Sequence, residues 1–255
     1  ARQGLSLGEL GFGHALADRL RALLTSPQGL LIVCGPAGSG KTTTLYAALR
    51  HILAVRPGAS IIAVEDPVEL RLDGVTQVQV EPARQLTYPV VLRSLLRQDP
   101  QVLMLGEVRD AETAHAVTEA ALTGHLLLTT LHSGTPAAAL VRLRELGIAP
   151  AQLTSTVHAV LAQRLLRTVC PGCGGAATTP ACPACLGSGY RGRVACAALV
   201  EMTPALLAAL LAGADVAQLA AVAGGQGLRA DADRLVAAGL TTAAEVARVL
   251  GDTGF

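Results

Sequence analysis

The chain has 255 residues, a net charge of +1 and an aromatic content of 2%, without tryptophan. Hydrophobic residues make up 51% of it, which excludes a disordered protein. The near-neutral charge argues against a general electrostatic grip on nucleic acid, and the scarcity of rings argues against a base-stacking platform. Of the 20 basic residues 19 are arginine, and Lys41 is the single lysine. The position of that lysine therefore calls for a chemical explanation.

The predicted elements alternate between helices and short apolar strands. An amphipathic helix is predicted within residues 5–24. Apolar runs follow at residues 29–34, 61–64, 102–105 and 125–131. Helical patterns lie at residues 41–54, 89–97, 110–122 and 135–146. This alternation is typical of buried parallel strands, so it predicts an α/β fold whose ligand site lies beyond the carboxyl ends of the strands.

No apolar run approaches the ~18 residues that would cross a bilayer. The first residues also lack the charged and apolar regions of a signal peptide. Both observations predict a cytoplasmic chain.

Residues 35–42 match the phosphate-loop pattern G-x-x-x-x-G-K-[ST] between an apolar run and a helix. Its glycines allow main-chain N–H groups to converge on phosphates at a helix N-terminus. We expect Lys41 to reach the β- and γ-phosphates and the Thr42 hydroxyl to bind Mg²⁺. The predicted nucleotide-binding residues are Gly35, Pro36, Ala37, Gly38, Ser39, Gly40, Lys41, Thr42 and Thr43. The alternative is a glycine-rich turn without a ligand.

Acidic clusters end the second and third apolar runs, with Glu65 and Asp66 in one and Glu107 in the other. A carboxylate at such a strand end can hold Mg²⁺ or orient the attacking water. Acidic residues there are also common as helix caps or in solvated turns, so both interpretations stay open. His125 and His132 bracket the fourth run. His132 is a candidate sensor of the γ-phosphate, whereas either histidine could equally be structural.

Four cysteines form two C-x-x-C units eight residues apart, at Cys170, Cys173, Cys182 and Cys185. Four thiolates satisfy a closed tetrahedral Zn²⁺ site, which we prefer to two disulfides because a phosphate-loop enzyme belongs in a reducing compartment. A thioredoxin-like redox motif and the cysteine-rich region of Hsp40-type chaperones are weaker alternatives. Cys34 and Cys196 are expected to be buried core residues.

After the cysteines the chain returns to Ala/Leu-rich helices over residues 203–252, where Thr242 and Glu245 fit a capping box. The composition divides the chain into four predicted parts. They are a linker and first helix (1–28), an ATPase core (29–168), a zinc module (169–195) and a helical subdomain (196–255).

The motifs GPAGSGKTTTLY, VEDPVEL, LRSLLRQDPQVLMLGEVRDAETA and ALTGHLLLTTLHS, in this order, resemble the secretion ATPase superfamily. This superfamily includes type II secretion ATPases and the assembly and retraction motors of type IV pili. The resemblance implies a RecA-like P-loop NTPase domain in a hexameric ring at the cytoplasmic face of the inner membrane. Its expected partners are an inner-membrane platform protein and a cytoplasmic recruitment protein, without direct binding of nucleic acid.

The resemblance also implies roles for single residues. Glu107 would be the Walker B glutamate that activates water, with Lys41, Glu65 and His132 as further catalytic residues. Glu65 and Asp66 would form the "Asp box" near Mg²⁺, and His125 and His132 the "His box". Arg93, Arg97 and Arg109 would lie near the nucleotide or at a subunit interface.

Secretion and pilus-assembly ATPases carry a similar four-cysteine module followed by a GxGYRGR-like stretch, here residues 187–193. The resemblance therefore favours assembly over retraction. The segment between the two cysteine pairs is shorter than is usual in the superfamily, so a docking role for that loop stays open. The alternatives are a retraction motor, a RecA-like DNA translocation or conjugation ATPase, and a non-catalytic scaffold that binds ATP.

Overall fold

The structure, a computed structural model, describes residues 4–175, 182–224 and 227–251. Its strands are β1 (Gly29–Cys34), β2 (Ile61–Glu65), β3 (Thr76–Gln79), β4 (Val102–Leu105), β5 (Leu126–Leu131), β6 (Val157–Val169) and β7 (Tyr190–Glu201). Its helices are α1 (His14–Leu24), α2 (Lys41–Val55), α3 (Tyr88–Leu95), α4 (Ala111–Leu122), α5 (Pro136–Glu145), α6 (Pro150–Thr156), α7 (Pro204–Leu211), α8 (Val216–Ala223), α9 (Leu228–Ala237) and α10 (Ala243–Leu250). The predicted α/β fold is confirmed.

The strands form one mixed sheet in the order β3-β2-β4-β5-β1-β6-β7. All neighbouring strands are parallel except β7, which runs antiparallel to β6. Successive side chains of β1 point to opposite faces: Leu31 and Val33 pack with α1 and α2, whereas Leu30 and Ile32 belong to the larger core with α3 to α10. Helices on both faces thus bury the four predicted strands completely.

Three strands were not predicted, because none of them is a continuous apolar run. In β6 the run is interrupted by Gln163, Arg164 and Arg167, and β7 is rich in alanine, which has a low strand preference. β3 is a short polar strand at one edge of the sheet, as its sequence TQVQ shows. β7 forms the opposite edge and carries the sheet past the predicted boundary at residue 195.

The outer edge of β7 is partly covered by main-chain and side-chain acceptors. The Ala195 N–H donates to the Leu10 carbonyl at 3.0 Å. The Ala197 N–H donates to Oδ2 of Asp231 at 2.9 Å, and this buried carboxylate lies on α9. Two of the outward-facing N–H groups of this edge are therefore already used within the chain.

The C-terminal helices dock beside the end of β6 through a buried carboxylate. Thr242 caps α10 by accepting a hydrogen bond from the Glu245 N–H at 3.1 Å, as predicted. The Glu245 side chain does not return to Thr242 as a capping box requires. It accepts instead from the guanidinium groups of Arg167 and Arg248, both at 2.7 Å, and from the main-chain N–H of Arg167 at 2.9 Å. Charged donors of this kind bind a carboxylate strongly. None of the described helices is long and apolar enough to cross a membrane.

Glu245→Gln should lower the free energy of unfolding by about 3 kcal/mol at pH 7, because it removes the charge of a buried carboxylate that accepts hydrogen bonds from two arginines. Burial alone would raise the pKa of Glu245, but the hydrogen bonds from Arg248 and Arg167 lower it from 4.5 to about 2. The stabilisation is therefore complete above pH 4.5 and is lost as the pH falls toward 2. Denaturant unfolding at pH 7 and pH 3 measures both effects.

The matched control is Glu145→Gln, which changes a glutamate whose ion pair with Arg142 is exposed. We expect a change below about 0.5 kcal/mol for that variant. The role assigned to Glu245 would be contradicted if both substitutions lowered the free energy of unfolding by the same amount. It would also be contradicted if the difference between their free energies of unfolding grew as the pH falls.

Candidate nucleotide site and cysteine cluster

The phosphate loop connects the end of β1 to the start of α2. Gly40 directly precedes α2 with a φ of 87°, a left-handed conformation that favours glycine. The Lys41 side chain is buried, and its Nζ donates to the carbonyls of Gly35 and Pro36, both at 2.9 Å. Burial lowers the pKa of Lys41, although the nearby Glu107 carboxylate favours its charged form. The single lysine thus lies inside the loop that its motif predicts.

A cavity of about 240 Å³ opens in front of this loop. It lies at the carboxyl ends of β2, β4 and β5, where an open α/β sheet places its ligands. Its lining includes eight of the predicted site residues, namely Ala37, Gly38, Lys41, Thr42, Glu65, Asp66, Glu107 and His132. Thr43, Gly40 and Ser39 line an adjoining cavity on the other side of the loop.

Glu107 lies at the centre of a chain of charges across the cavity. It forms an ion pair with Arg109, and its Oε2 lies 3.4 Å from Nε2 of His132. Arg109 also approaches Asp66, with 3.7 Å between Nη1 and Oδ2. The hydrogen bond from Arg109 lowers the pKa of Glu107, so this carboxylate remains ionised at neutral pH. The structure therefore brings four predicted residues from three strand ends into one electrostatic network.

Glu65 has different surroundings from Glu107. Its buried carboxylate accepts from the hydroxyl of Tyr46 and from Nε2 of Gln77, the latter at 2.8 Å. The same Gln77 side chain binds the main chain of Leu70 and Leu72, each at 2.8 Å. In this arrangement Glu65 connects α2, β2 and the following loop, and each of its oxygens accepts one hydrogen bond.

Sequence reasoning did not single out Glu69, the last acidic residue of the VEDPVEL motif. The structure places this exposed residue on the lining of both cavities that flank the phosphate loop. No ion pair of Glu69 is present in the described part of the chain. Its place in the same acidic motif as Glu65 was the available signal.

Three further predicted residues lie away from the cavity. His125 precedes β5, at the end opposite His132, and its Nδ1 lies 3.0 Å from both the Ala120 carbonyl and the Thr123 hydroxyl. Arg93 lies 3.5 Å from Glu112, and Arg97 is exposed in a 3₁₀ turn after α3. The structure does not bring these three residues to the phosphate loop, and an interface role for the arginines stays a prediction.

The four cysteines of the predicted module form a compact cluster between β6 and β7. All four Sγ atoms lie within 4.8 Å of one another, and none of the four cysteines forms a disulfide. Cys170 and Cys182 are 3.9 Å apart, and Cys173 and Cys185 are 3.6 Å apart. A tetrahedral zinc ion with Zn–S bonds of about 2.3 Å separates its sulfurs by about 3.8 Å, so these residues fit such an ion. The segment 176–181 between the pairs lies outside the described residues.

The main chain favours the thiolate form of Cys185. N–H groups of Gly187 and Gly189 donate to the Cys185 sulfur. Burial raises the pKa of this thiol, but the N–H donors and the neighbouring thiols outweigh burial and bring the pKa below its ordinary value. Burial and the hydrogen bond with Cys185 raise the pKa of Cys173. The spacing of the four sulfurs shows that the cluster could hold a metal ion. Cys34 and Cys196 are buried elsewhere in the core, as expected.

Residues 1–248 match the family of type II/IV secretion system proteins. The chain belongs to this family. It is 41% identical over 255 residues to the type II secretion system protein HxcR of Pseudomonas aeruginosa, covering 97% of this chain and 54% of that protein. It is 40% identical to type II secretion system protein E of Dickeya dadantii, with 96% and 53% covered. The chain thus spans about half the length of these curated relatives.

Further proteins are similar to this chain in sequence or in structure. The type IV pilus assembly ATPase PilB of Thermus thermophilus is 36% identical, with 93% of this chain and 30% of that protein covered. The structure of the pilus retraction motor PilT with bound ADP superposes with a TM-score of 0.78 at 25% identity, covering 97% of this chain and 67% of that chain. The ATPase DotB of Legionella pneumophila shares the fold with a TM-score of 0.72 at 23% identity, covering 94% and 64%.

Proposed function

We propose that this chain is the ATP-hydrolysing motor part of a type II secretion or type IV pilus assembly machine. The observation that carries the proposal is the placement of Lys41 and Glu107 on one cavity, close enough for their charges to interact. The lysine supplies a compact positive charge for the terminal phosphates. The carboxylate lines the same cavity, where it would orient an attacking water.

Phosphoryl transfer to water depends mainly on positioning and charge stabilisation, so each residue has a limited task. The lowered pKa of Glu107 makes it a weak base, and we assign it the orientation of the attacking water more than the removal of its proton. Thr42 and Asp66 line the same cavity and would hold Mg²⁺, which neutralises phosphate charge when bound. Because each oxygen of Glu65 accepts a hydrogen bond, one from Tyr46 and one from Gln77, we assign Glu65 to support of the site.

The cysteine cluster is proposed to hold structural Zn²⁺ through Cys170, Cys173, Cys182 and Cys185. Zinc would close the loop between β6 and β7 without taking part in hydrolysis. The cluster favours an assembly motor over a retraction motor, in agreement with the resemblance of its flanking sequence to assembly ATPases. The proposed assembly is a homo-hexameric ring on the cytoplasmic side of the inner membrane, held there by a platform protein and a recruitment protein.

Glu107→Gln should lower ATP turnover by about 100-fold, because it removes the charge that orients the attacking water. Binding of Mg-ADP should persist, since Lys41 and the phosphate loop are unchanged. Phosphate release per subunit and calorimetric binding of Mg-ADP measure the two quantities.

Glu112→Gln is the matched control, since Glu112 is an exposed glutamate on α4 whose partner is Arg93. Its turnover should equal that of the wild type. If Glu107→Gln instead hydrolysed ATP at the wild-type rate, the assignment of Glu107 would be wrong and a non-catalytic ATP-binding scaffold would gain support.

A further inference from the structure

We infer that Gln163, in the middle of β6, is a positioning residue that holds the phosphate loop in the shape that binds phosphate. The inference deepens the proposed function and rests on it, because it assigns the support of the same nucleotide site. Gln163 belongs to none of the motifs that the sequence analysis singled out.

The Gln163 side chain bonds the phosphate loop on both sides of Lys41. It is 1% exposed, its Nε2 donates to the Ser39 carbonyl at 2.8 Å, and its Oε1 accepts from the Thr44 hydroxyl at 2.7 Å. One amide thus connects the last turn of the loop with the first turn of α2. Buried hydrogen bonds of this kind fix geometry, because a lost partner leaves an unsatisfied polar group.

The bond to the Ser39 carbonyl determines the direction of the next N–H group. The carbonyl of one residue and the N–H of the next share a planar trans peptide and point in opposite directions. Since Nε2 of Gln163 draws the Ser39 carbonyl toward β6, the Gly40 N–H points away from β6. A phosphate loop binds its anion through successive main-chain N–H groups that converge on it. Gln163 therefore orients a phosphate-binding donor without touching the phosphate.

Two loop glycines fit closely against the same residue. A Cβ at Gly35 would lie 2.5 Å from the Gln163 carbonyl oxygen, and a Cβ at Gly40 would lie 2.8 Å from its Nε2. Both separations are too short for a side chain. Gly35 is thus required by its contact with the main chain of β6, and a side chain at Gly40 would displace the Gln163 amide.

The neighbouring residue holds β6 itself in place from the other face of the sheet. Arg164 is largely buried, and it donates to the carbonyls of Gln163 at 2.9 Å and Gly134 at 2.8 Å. Gly134 lies two residues after His132. Adjacent residues of β6 therefore contact the phosphate loop on one side and the loop after β5 on the other, so Gln163 acts from a rigid support.

Gln163→Leu tests the inference, because leucine keeps the bulk of the side chain and removes both hydrogen bonds. We expect the Kd for Mg-ADP, measured by calorimetry at 25 °C, to rise about tenfold. Gln218→Leu, which changes an exposed glutamine at the start of α8, should leave the Kd unchanged. A purely structural role for Gln163 would lower the unfolding temperature and leave the Kd of the folded protein unchanged, and that result would overturn the inference.

Thr44 variants provide a second test if Gln163→Leu does not fold. Thr44→Val removes only the hydroxyl that Gln163 binds and should raise the Kd for Mg-ADP about threefold, whereas Thr44→Ser keeps the hydroxyl and should restore the wild-type Kd. Equal Kd values for wild type and Thr44→Val would overturn the inference and leave the proposed function intact. A wild-type chain that binds no Mg-ADP would overturn both.

Discussion

Lys41→Arg should lower ATP hydrolysis by about 1000-fold while the fold remains intact, because the charge is kept but its shape is wrong. The ammonium of Lys41 is buried and bound to two carbonyls of its own loop. A planar guanidinium needs more space and cannot present one compact charge to the phosphates. Phosphate release per subunit measures the rate of ATP hydrolysis. The thermal unfolding temperature and the zinc content of the variant test whether the fold persists.

The control for this substitution is Arg84→Lys, the reverse exchange at a residue whose side chain is 77% exposed. We expect wild-type turnover from it. In a chain where 19 of 20 basic residues are arginine, lysine at position 41 marks the place where the compact ammonium is required. Normal hydrolysis by Lys41→Arg would show that the nucleotide site is assigned wrongly.

Cys170→Ser should abolish stoichiometric zinc binding and lower the stability of the protein by more than about 3 kcal/mol. Cys170 is fully buried at the end of β6, and its N–H donates to the Gly189 carbonyl at 2.9 Å. Loss of the ion would release the junction of β6 and β7. The neighbouring hydrogen bond from the Val169 N–H to the Leu240 carbonyl connects this junction to the C-terminal helices, so we expect those helices to be destabilised as well. Metal analysis by mass spectrometry and denaturant unfolding test the prediction.

Cys196→Ser serves as the matched control, because Cys196 is also buried but donates to the Leu228 carbonyl at 3.1 Å, outside the cluster. A serine hydroxyl can make the same bond, so zinc content should stay at one ion per chain. A wild-type protein purified without zinc would contradict the metal assignment and favour the retraction motor.

The strands that were predicted correctly are apolar runs whose side chains pack against other apolar side chains. The runs at residues 29–34 and 102–105 correspond to β1 and β4 at both ends. β6 was not predicted because three polar residues, Gln163, Arg164 and Arg167, interrupt its apolar pattern. Their side chains form hydrogen bonds with residues far away in the sequence, namely Ser39, Gly134 and Glu245. A local pattern contains no information about such partners, so polar residues in a strand appear there as interruptions.

The candidate site shows the same division between local motif and tertiary partner. The phosphate loop and Glu107 could be predicted because their motifs stand at strand ends, and parallel strands bring those ends together. The hydrogen bonds from Tyr46 and Gln77 to Glu65 depend on how α2 packs over the sheet. The spacing of residues in the sequence does not predict that packing. His125 shares a motif with His132, yet six strand residues of about 3.3 Å each separate them.

The two edges of the sheet bear on how copies of this chain can associate. An open strand edge invites another chain to extend the sheet, and many proteins use or suffer such pairing. Here one edge is the short polar β3, and the other has the N–H groups of Ala195 and Ala197 already bonded to Leu10 and Asp231. Extension of the sheet from one subunit into the next is therefore disfavoured. In the proposed ring, neighbouring subunits would meet through loops and helices, which can slide or separate without breaking a continuous ladder of hydrogen bonds.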